Sequence, residues 1–135
     1  MIPWIKTSDR TPTRSETPPT FCEGISDPCL IYFEGAFLIG RYWPVNDFWD
    51  VEGYGGRGFS VRPTHWAYCS DIDWQGQATD VPEMIDGLSR SECCAVLHGN
   101  NEYSVGLCFA PDNKWRIKHA SSWAYPQKWA VCTHP

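Results

Sequence analysis

The chain has 135 residues, enough for one ordinary domain or two very small halves sharing a core. With 42% hydrophobic and 20% charged residues it can build a packed interior, which excludes global disorder. A formal charge of −5 is too weak for a DNA-mimicking surface and of the wrong sign for general nucleic-acid binding, so no direct nucleic-acid partner is expected.

In chain order, Trp4 is placed to anchor an N-terminal strand, and residues 11–28 carry Thr, Pro and Ser without periodicity and read as a long loop. Cys29 to Phe33 is a short β-prone run, Glu34-Gly35 a turn, and Ala36 to Trp43 a second run that completes a hairpin. Pro44 to Asp47 turns again, Phe48 to Val51 starts a third strand, and Thr64 to Tyr68 makes a last one after the glycine-rich wide turn Gly53 to Gly58. Thr79 to Ser89 carries the one helical signal: Asp80 as a cap, Pro82 in the first turn, and Met84, Ile85 and Leu88 as an apolar face. Ala95 to Leu97, Tyr103 to Phe109, Trp115 to His119 and Lys128 to Thr133 then predict a second set of strands.

The chain repeats itself. From Gly40 to Trp49 is nine residues, and from Gly106 to Trp115 is also nine. Leu38-Ile39-Gly40 matches Ser104-Val105-Gly106, and Trp49-Asp50-Val51 matches Trp115-Arg116-Ile117. Trp66-Ala67-Tyr68-Cys69 is answered by Trp129-Ala130-Val131-Cys132. The expected fold is therefore mainly β, α+β at most: two antiparallel meander repeats packed into one small domain, with a short helix between them. The repeats span residues 1–72 and 91–135, with 73–90 as the connection.

Three motifs of the first half resemble a small phage and prophage family, catalogued as domain of unknown function 551. Trp4-Ile5-Lys6-Thr7-Ser8-Asp9-Arg10-Thr11-Pro12 is similar to its W-I-x-x-x-[DE]-R-x-P opening, and Trp49 to Tyr54 to its W-x-x-x-[DE]-G-Y centre. Thr64-His65-Trp66 is similar to its closing V-T-H-W, although Ala67 and Tyr68 replace the usual Met-Pro. The resemblance covers residues 4–69 and implies a phage or prophage accessory gene without assigning any chemistry. In the second half Gln127-Lys128-Trp129 stands where Thr64-His65-Trp66 stands, which implies a doubled and diverged member.

No apolar run approaches the roughly 18–20 residues that cross a bilayer, and Met1 to Lys6 has no hydrophobic leader core, so no membrane partner and a bacterial cytoplasmic location are expected. The seven cysteines are an odd number and include no C-x-x-C pair, which favours reduced thiols. Cys93, Cys94 and His98 lie near enough in sequence to permit a metal, but buried small side chains are the stronger reading, and no cofactor or metal is expected.

His65 with Asp50, Glu52 or Asp9 would be the acid/base pair of an enzyme, and Asp9-Arg10 reads as a local ion pair. No nucleophile elbow, zinc-protease motif or phosphate loop accompanies them, so a non-enzymatic role is expected. Among the 20 aromatic residues, Trp49, Trp66, Trp115 and Trp129 hold corresponding repeat positions and belong to the core. Tyr42, Trp43, Tyr54, Trp74, Trp123 and Tyr125 are less constrained and form the expected partner-binding set, because Trp and Tyr dominate interface hot spots. Residues 71–112 carry eight acids against one Arg, an acidic face suited to a basic protein partner. The expected function is stoichiometric binding of a host protein, with interference in an antiviral defence as the natural target of a phage gene. The alternatives are a nucleotide-like ligand held by Arg57, Arg62, His65 and Lys118 between the two copies, and a homodimerising scaffold.

Overall fold

The computed structural model describes residues 2–15, 24–52, 61–77, 80–99, 101–117 and 126–135. The chain divides into two compact units, Pro3–Asp71 and Ile72–His134, each built on a five-stranded antiparallel sheet. The first unit contains β1 (Ile5–Lys6), β2 (Cys29–Phe33), β3 (Ala36–Trp43), β4 (Phe48–Val51) and β5 (His65–Tyr68), ordered β1-β5-β2-β3-β4. The second contains β6 (Gly76–Gln77), β7 (Cys94–His98), β8 (Glu102–Phe109), β9 (Lys114–Ile117) and β10 (Lys128–Val131), ordered β6-β10-β7-β8-β9. The strand order is the same in both.

Turn chemistry fixes the hairpins. Glu34 and Gly35 sit at φ +48° and +81°, and two consecutive left-handed residues match the right-handed twist of the flanking strands. Asp47, Asn101 and Asn113 supply the left-handed residue in the other turns, a conformation that short polar side chains tolerate best among non-glycines. With the turns set, Cys29 pairs with Gly40 and Gly40 with Val51; Cys94 pairs with Gly106 and Gly106 with Ile117. The central glycine of each rung lets the next strand's backbone close in. A Cβ on Gly40 would stand 3.1 Å from the Asp50 carbonyl, and one on Gly106 would stand 2.8 Å from that of Arg116.

Each unit has its own core. In the first, Cys29, Ile31, Leu38, Tyr42, Trp49, Val51, Trp66 and Tyr68 pack together; in the second, Cys94, Val96, Cys108, Trp115, Ile117 and Trp129 do. A buried serine stitches each core to the strand beside it. Ser26 Oγ accepts the Tyr42 amide at 2.8 Å and donates to the Asp27 carbonyl at 3.0 Å; Ser91 Oγ accepts the Cys108 amide at 3.0 Å and donates to the Glu92 carbonyl at 2.9 Å.

One expectation is corrected here. No α-helix forms over residues 80–89: Met84 bridges Ser91, Ile85 N–H donates to the Arg90 carbonyl at 2.9 Å, and Leu88 N–H to the Ile85 carbonyl at 2.9 Å. Gly87 at φ +78° reverses the chain where a helix would have to continue, so the segment folds back on itself. Residues 76–77 form β6, which pairs with β10 inside the second unit. The short N-terminal strand does enter the first sheet, with Ile5 opposite Trp66, and Trp4 is half-buried with its ring stacked on Phe37 at 6.1 Å. The glycine-rich stretch 53–58 lies outside the described residues.

Trp49→Ala and Trp115→Ala should each cost about 3–5 kcal/mol in denaturant unfolding, since both rings are almost fully buried. Gly106→Ala should cost about 1–3 kcal/mol by overpacking, and more than Gly40→Ala, because its new methyl meets backbone at shorter range. Equal costs for the two glycine variants would contradict this reading of the rungs.

Candidate binding groove

In the second unit the chain leaves β6 through Asp80. The Asp80 carboxylate accepts the Gln77 amide at 2.9 Å, and its carbonyl accepts the Trp129 indole N–H at 3.1 Å. Pro82 is buried, and the chain then folds back at Gly87, which leaves Asp86, Leu88 and Ser89 exposed at the tip. The return arm is held by Ser91, whose amide donates to the Cys108 carbonyl at 2.9 Å. Between this folded segment and β10 lies a groove of about 700 Å³. Met84, Ile85, Trp129 and Val131 line it with apolar surface, while Glu83, Asp86 and Glu92 add exposed carboxylates. The ion pairs formed among the described residues do not include these three carboxylates. Gln75 at the rim is spent on the β10 edge, its Oε1 accepting the Val131 amide at 2.7 Å.

The first unit has a smaller cleft of about 350 Å³, lined by residues that include Arg10, Arg14, Trp66, Tyr68 and Asp71. Tyr68, Arg14 and Asp71 there satisfy one another and the adjoining backbone. Tyr68 Oη accepts the amides of Thr13 and Arg14, each at 2.8 Å, and the Arg14 guanidinium pairs with Asp71 at 2.9 Å while lying 4.2 Å above the Tyr68 ring. Its hydrogen bond to Asp71 raises the Arg14 pKa above its ordinary value.

Of the aromatic set expected at a partner surface, Tyr42 is a correction. It is only 6% exposed, its ring lies 5.1 Å from Trp49, and its hydroxyl donates to Asp47 at 2.6 Å. Two positions after Gly40 on β3, it faces the same side as Leu38 and enters the core with it. Trp43 is half-buried, and its indole N–H is buried with no hydrogen-bond partner among the described residues. Trp74 is half-buried, stacked on Tyr103 at 5.9 Å, with the Lys128 ammonium 5.0 Å from its ring centre. Tyr54, Trp123 and Tyr125 lie outside the described residues, as do Arg57 and Lys118.

Arg62 is exposed and paired with Asp47 at 2.9 Å, and His65 bonds Thr64 through Nδ1 at 3.0 Å with its ring edge-on to Trp4 and Tyr32. Neither residue lines the groove or the cleft. Cys94 donates its thiol to the Glu92 carbonyl at 3.4 Å, and burial pushes that thiol up to about 12, whereas His98 bonds Ser104 at 3.0 Å. Among the described residues no group of three or more metal-ligating side chains comes together. The groove residues Glu83, Met84, Ile85, Asp86 and Glu92 were not singled out as a site in the sequence. Their signal was present in the acidic run 71–112 and in the apolar spacing that reads as a helix face. No family model, curated protein or solved structure matches the chain.

Asp47 offers a pH test of the first unit. Hydrogen bonds from Tyr42 and then Arg62 hold its carboxyl below the ordinary range. A depressed folded-state value contributes stability that is fully present above the ordinary carboxylate range and is lost as pH falls through the folded value. Tyr42→Phe and Arg62→Gln should therefore each raise the Asp47 titration midpoint seen by carboxyl-carbon NMR. Midpoints that stay put in both variants would disprove the assigned cause.

Proposed function

We propose that the protein acts by stoichiometric binding of a basic protein segment, received in the groove of the second unit. The observation that carries this reading is the set of three exposed carboxylates, free of ion pairs among the described residues, around an apolar floor. A cationic side chain whose aliphatic stem lies along Met84 and Trp129 while its head reaches Glu83 or Glu92 gains both burial and charge pairing. Trp74, half-buried in the same unit, remains a candidate anchor of the partner surface. The motifs over residues 4–69 that resemble the phage family support a phage or prophage accessory role. On that reading the partner is a host protein in the bacterial cytoplasm, and a component of antiviral defence is its natural class.

We also infer that the two units descend from one duplicated β element. Their common strand order supports this, as do Ser26 and Ser91, Gly40 and Gly106, Trp49 and Trp115, and Trp66 and Trp129 in corresponding places of the two sheets.

Affinity capture from host lysate should retain a basic protein at one copy per chain. The paired reversal Glu83→Lys with Asp86→Lys should weaken that binding about thirtyfold, at roughly 1 kcal/mol per exposed charge, and flatten its dependence on salt. A captured partner indifferent to both the reversal and salt would overturn the groove assignment, and the absence of any stoichiometric partner would overturn the binding role.

A further inference from the structure

Cys93 immediately precedes β7 and Cys132 immediately follows β10. Val131 faces Cys94 across the antiparallel ladder, so the next rung sets Cys132 opposite Cys93, and the Cys132 amide donates to the Cys93 carbonyl at 2.9 Å. Residues opposite one another on such a rung project to one side with Cβ atoms roughly 4.5–5.5 Å apart, so a small inward shift brings them to the roughly 3.5–4.5 Å that a disulfide needs. Interaction with Cys93, and then burial, raises the pKa of the Cys132 thiol. Cys132 is buried and Cys93 is partly exposed, so one partner is open to reagents and the other is sheltered beside it.

The other thiols among the described residues differ. Cys29, Cys69, Cys94 and Cys108 are buried, and Cys29 and Cys94 direct their thiols to the carbonyls of Asp27 and Glu92. In the first sheet the same backbone hydrogen bond runs from Cys69 to Pro28, so a proline occupies the place of Cys93 and the thiol pair belongs to the second unit.

We propose that Cys93 and Cys132 form a reversible disulfide across the rung that joins the start of β7 to the end of β10, a thiol-oxidation site at the border of the groove. The chemistry needs a peroxide as oxidant. Cys93 sulfur attacks one peroxide oxygen; the S–O bond forms, the O–O bond breaks, and the departing hydroxide leaves as water with the thiol proton. Cys132 sulfur then attacks the sulfenic sulfur; the S–S bond forms, the S–O bond breaks, and hydroxide leaves as a second water with the Cys132 proton. Two thiols give up two electrons and the peroxide accepts both. Cys132 suits the second step because it stands opposite Cys93 on the same rung, where its sulfur meets the sulfenic acid as it forms and its proton leaves with the hydroxide. Glu92 and Val131, the chain neighbours of the two cysteines, both line the groove, but the disulfide does not rest on the groove having a basic partner.

The test is hydrogen peroxide treatment of the reduced full chain, alkylation of the remaining thiols, and tryptic mass spectrometry. The expected product links peptide 91–114 to peptide 129–135, with fragment ions placing the bond on Cys93 and dithiothreitol restoring both thiols. In Cys93→Ser the link should vanish, and in Cys132→Ser dimedone should trap Cys93 as its sulfenic acid. A bond on Cys94 or Cys108, a link that survives in Cys93→Ser, or free alkylation of Cys93 and Cys132 after peroxide would each overturn the proposal. The fragment assignment on the natural sequence decides the matter even if a variant misfolds.

Discussion

The second unit is organised around what a buried tryptophan requires. The Trp129 ring is 7% exposed, and its indole N–H has to find an acceptor inside the structure or lose the hydrogen bond it would make to water. It finds the Asp80 carbonyl, which ties the segment leaving β6 to the sheet. Room for the ring comes from Gly76, where a Cβ would stand 2.1 Å from the indole. Any larger residue at that rung would expel the ring, and with it the anchor that sets where residues 80–92 run. The first unit meets the same requirement through Trp66, whose indole donates to the Arg10 carbonyl at 2.9 Å. In each case a core side chain reaches out of the core to hold a loop.

Holding the loop by one end is not sufficient to shape a groove. Ser91 supplies the other end, because its hydroxyl and its amide both engage the β8 edge at Cys108. Between Asp80 and Ser91 the backbone satisfies part of its own hydrogen bonding through the bridge at Met84 and the reversal at Gly87. The side chains of Glu83 and Asp86 are thereby left free of structural duty, and Met84 and Ile85 are only half-buried. An apolar floor with loose carboxylates above it is the natural product of a segment fixed at its ends by backbone groups.

Much of the strand pattern was legible because the punctuation is strong. Glu34-Gly35, Pro44 to Asp47 and Pro111 to Asn113 mark reversals that force short strands, and Cys29–Phe33, Ala36–Trp43 and Phe48–Val51 begin and end where those turns dictate. The segment after Asp80 was not legible in the same way. Met84, Ile85 and Leu88 have helical spacing, yet three apolar residues across an interrupting glycine do not outweigh the cost of nucleating a single turn, and the bridge to Ser91 competes for the same backbone groups. Tyr42 was misplaced for a different reason. An aromatic load large enough for a core and a surface together invites a division by repeat position, whereas period-two alternation from Leu38 through Gly40 already pointed Tyr42 inward.

The groove acids illustrate what composition conveys and what it leaves out. The excess of carboxylates over residues 71–112 was visible at once, but an acidic stretch is ordinarily a solvated face. On the proposed binding role, what would make part of it a recognition surface is the geometry that brings Glu83, Asp86 and Glu92 around Trp129 and Val131, and that geometry depends on long-range contacts between residues 80–92 and β10. Exposed carboxylates in water are individually weak attractors. Set beside half-buried apolar surface they would act on the cations of the proposed partner in a partly desolvated setting, where the same charges count for more. Selectivity for a basic segment would then come from the conjunction of charge and apolar floor, and neither substitution of the carboxylates nor erosion of the floor should leave it intact.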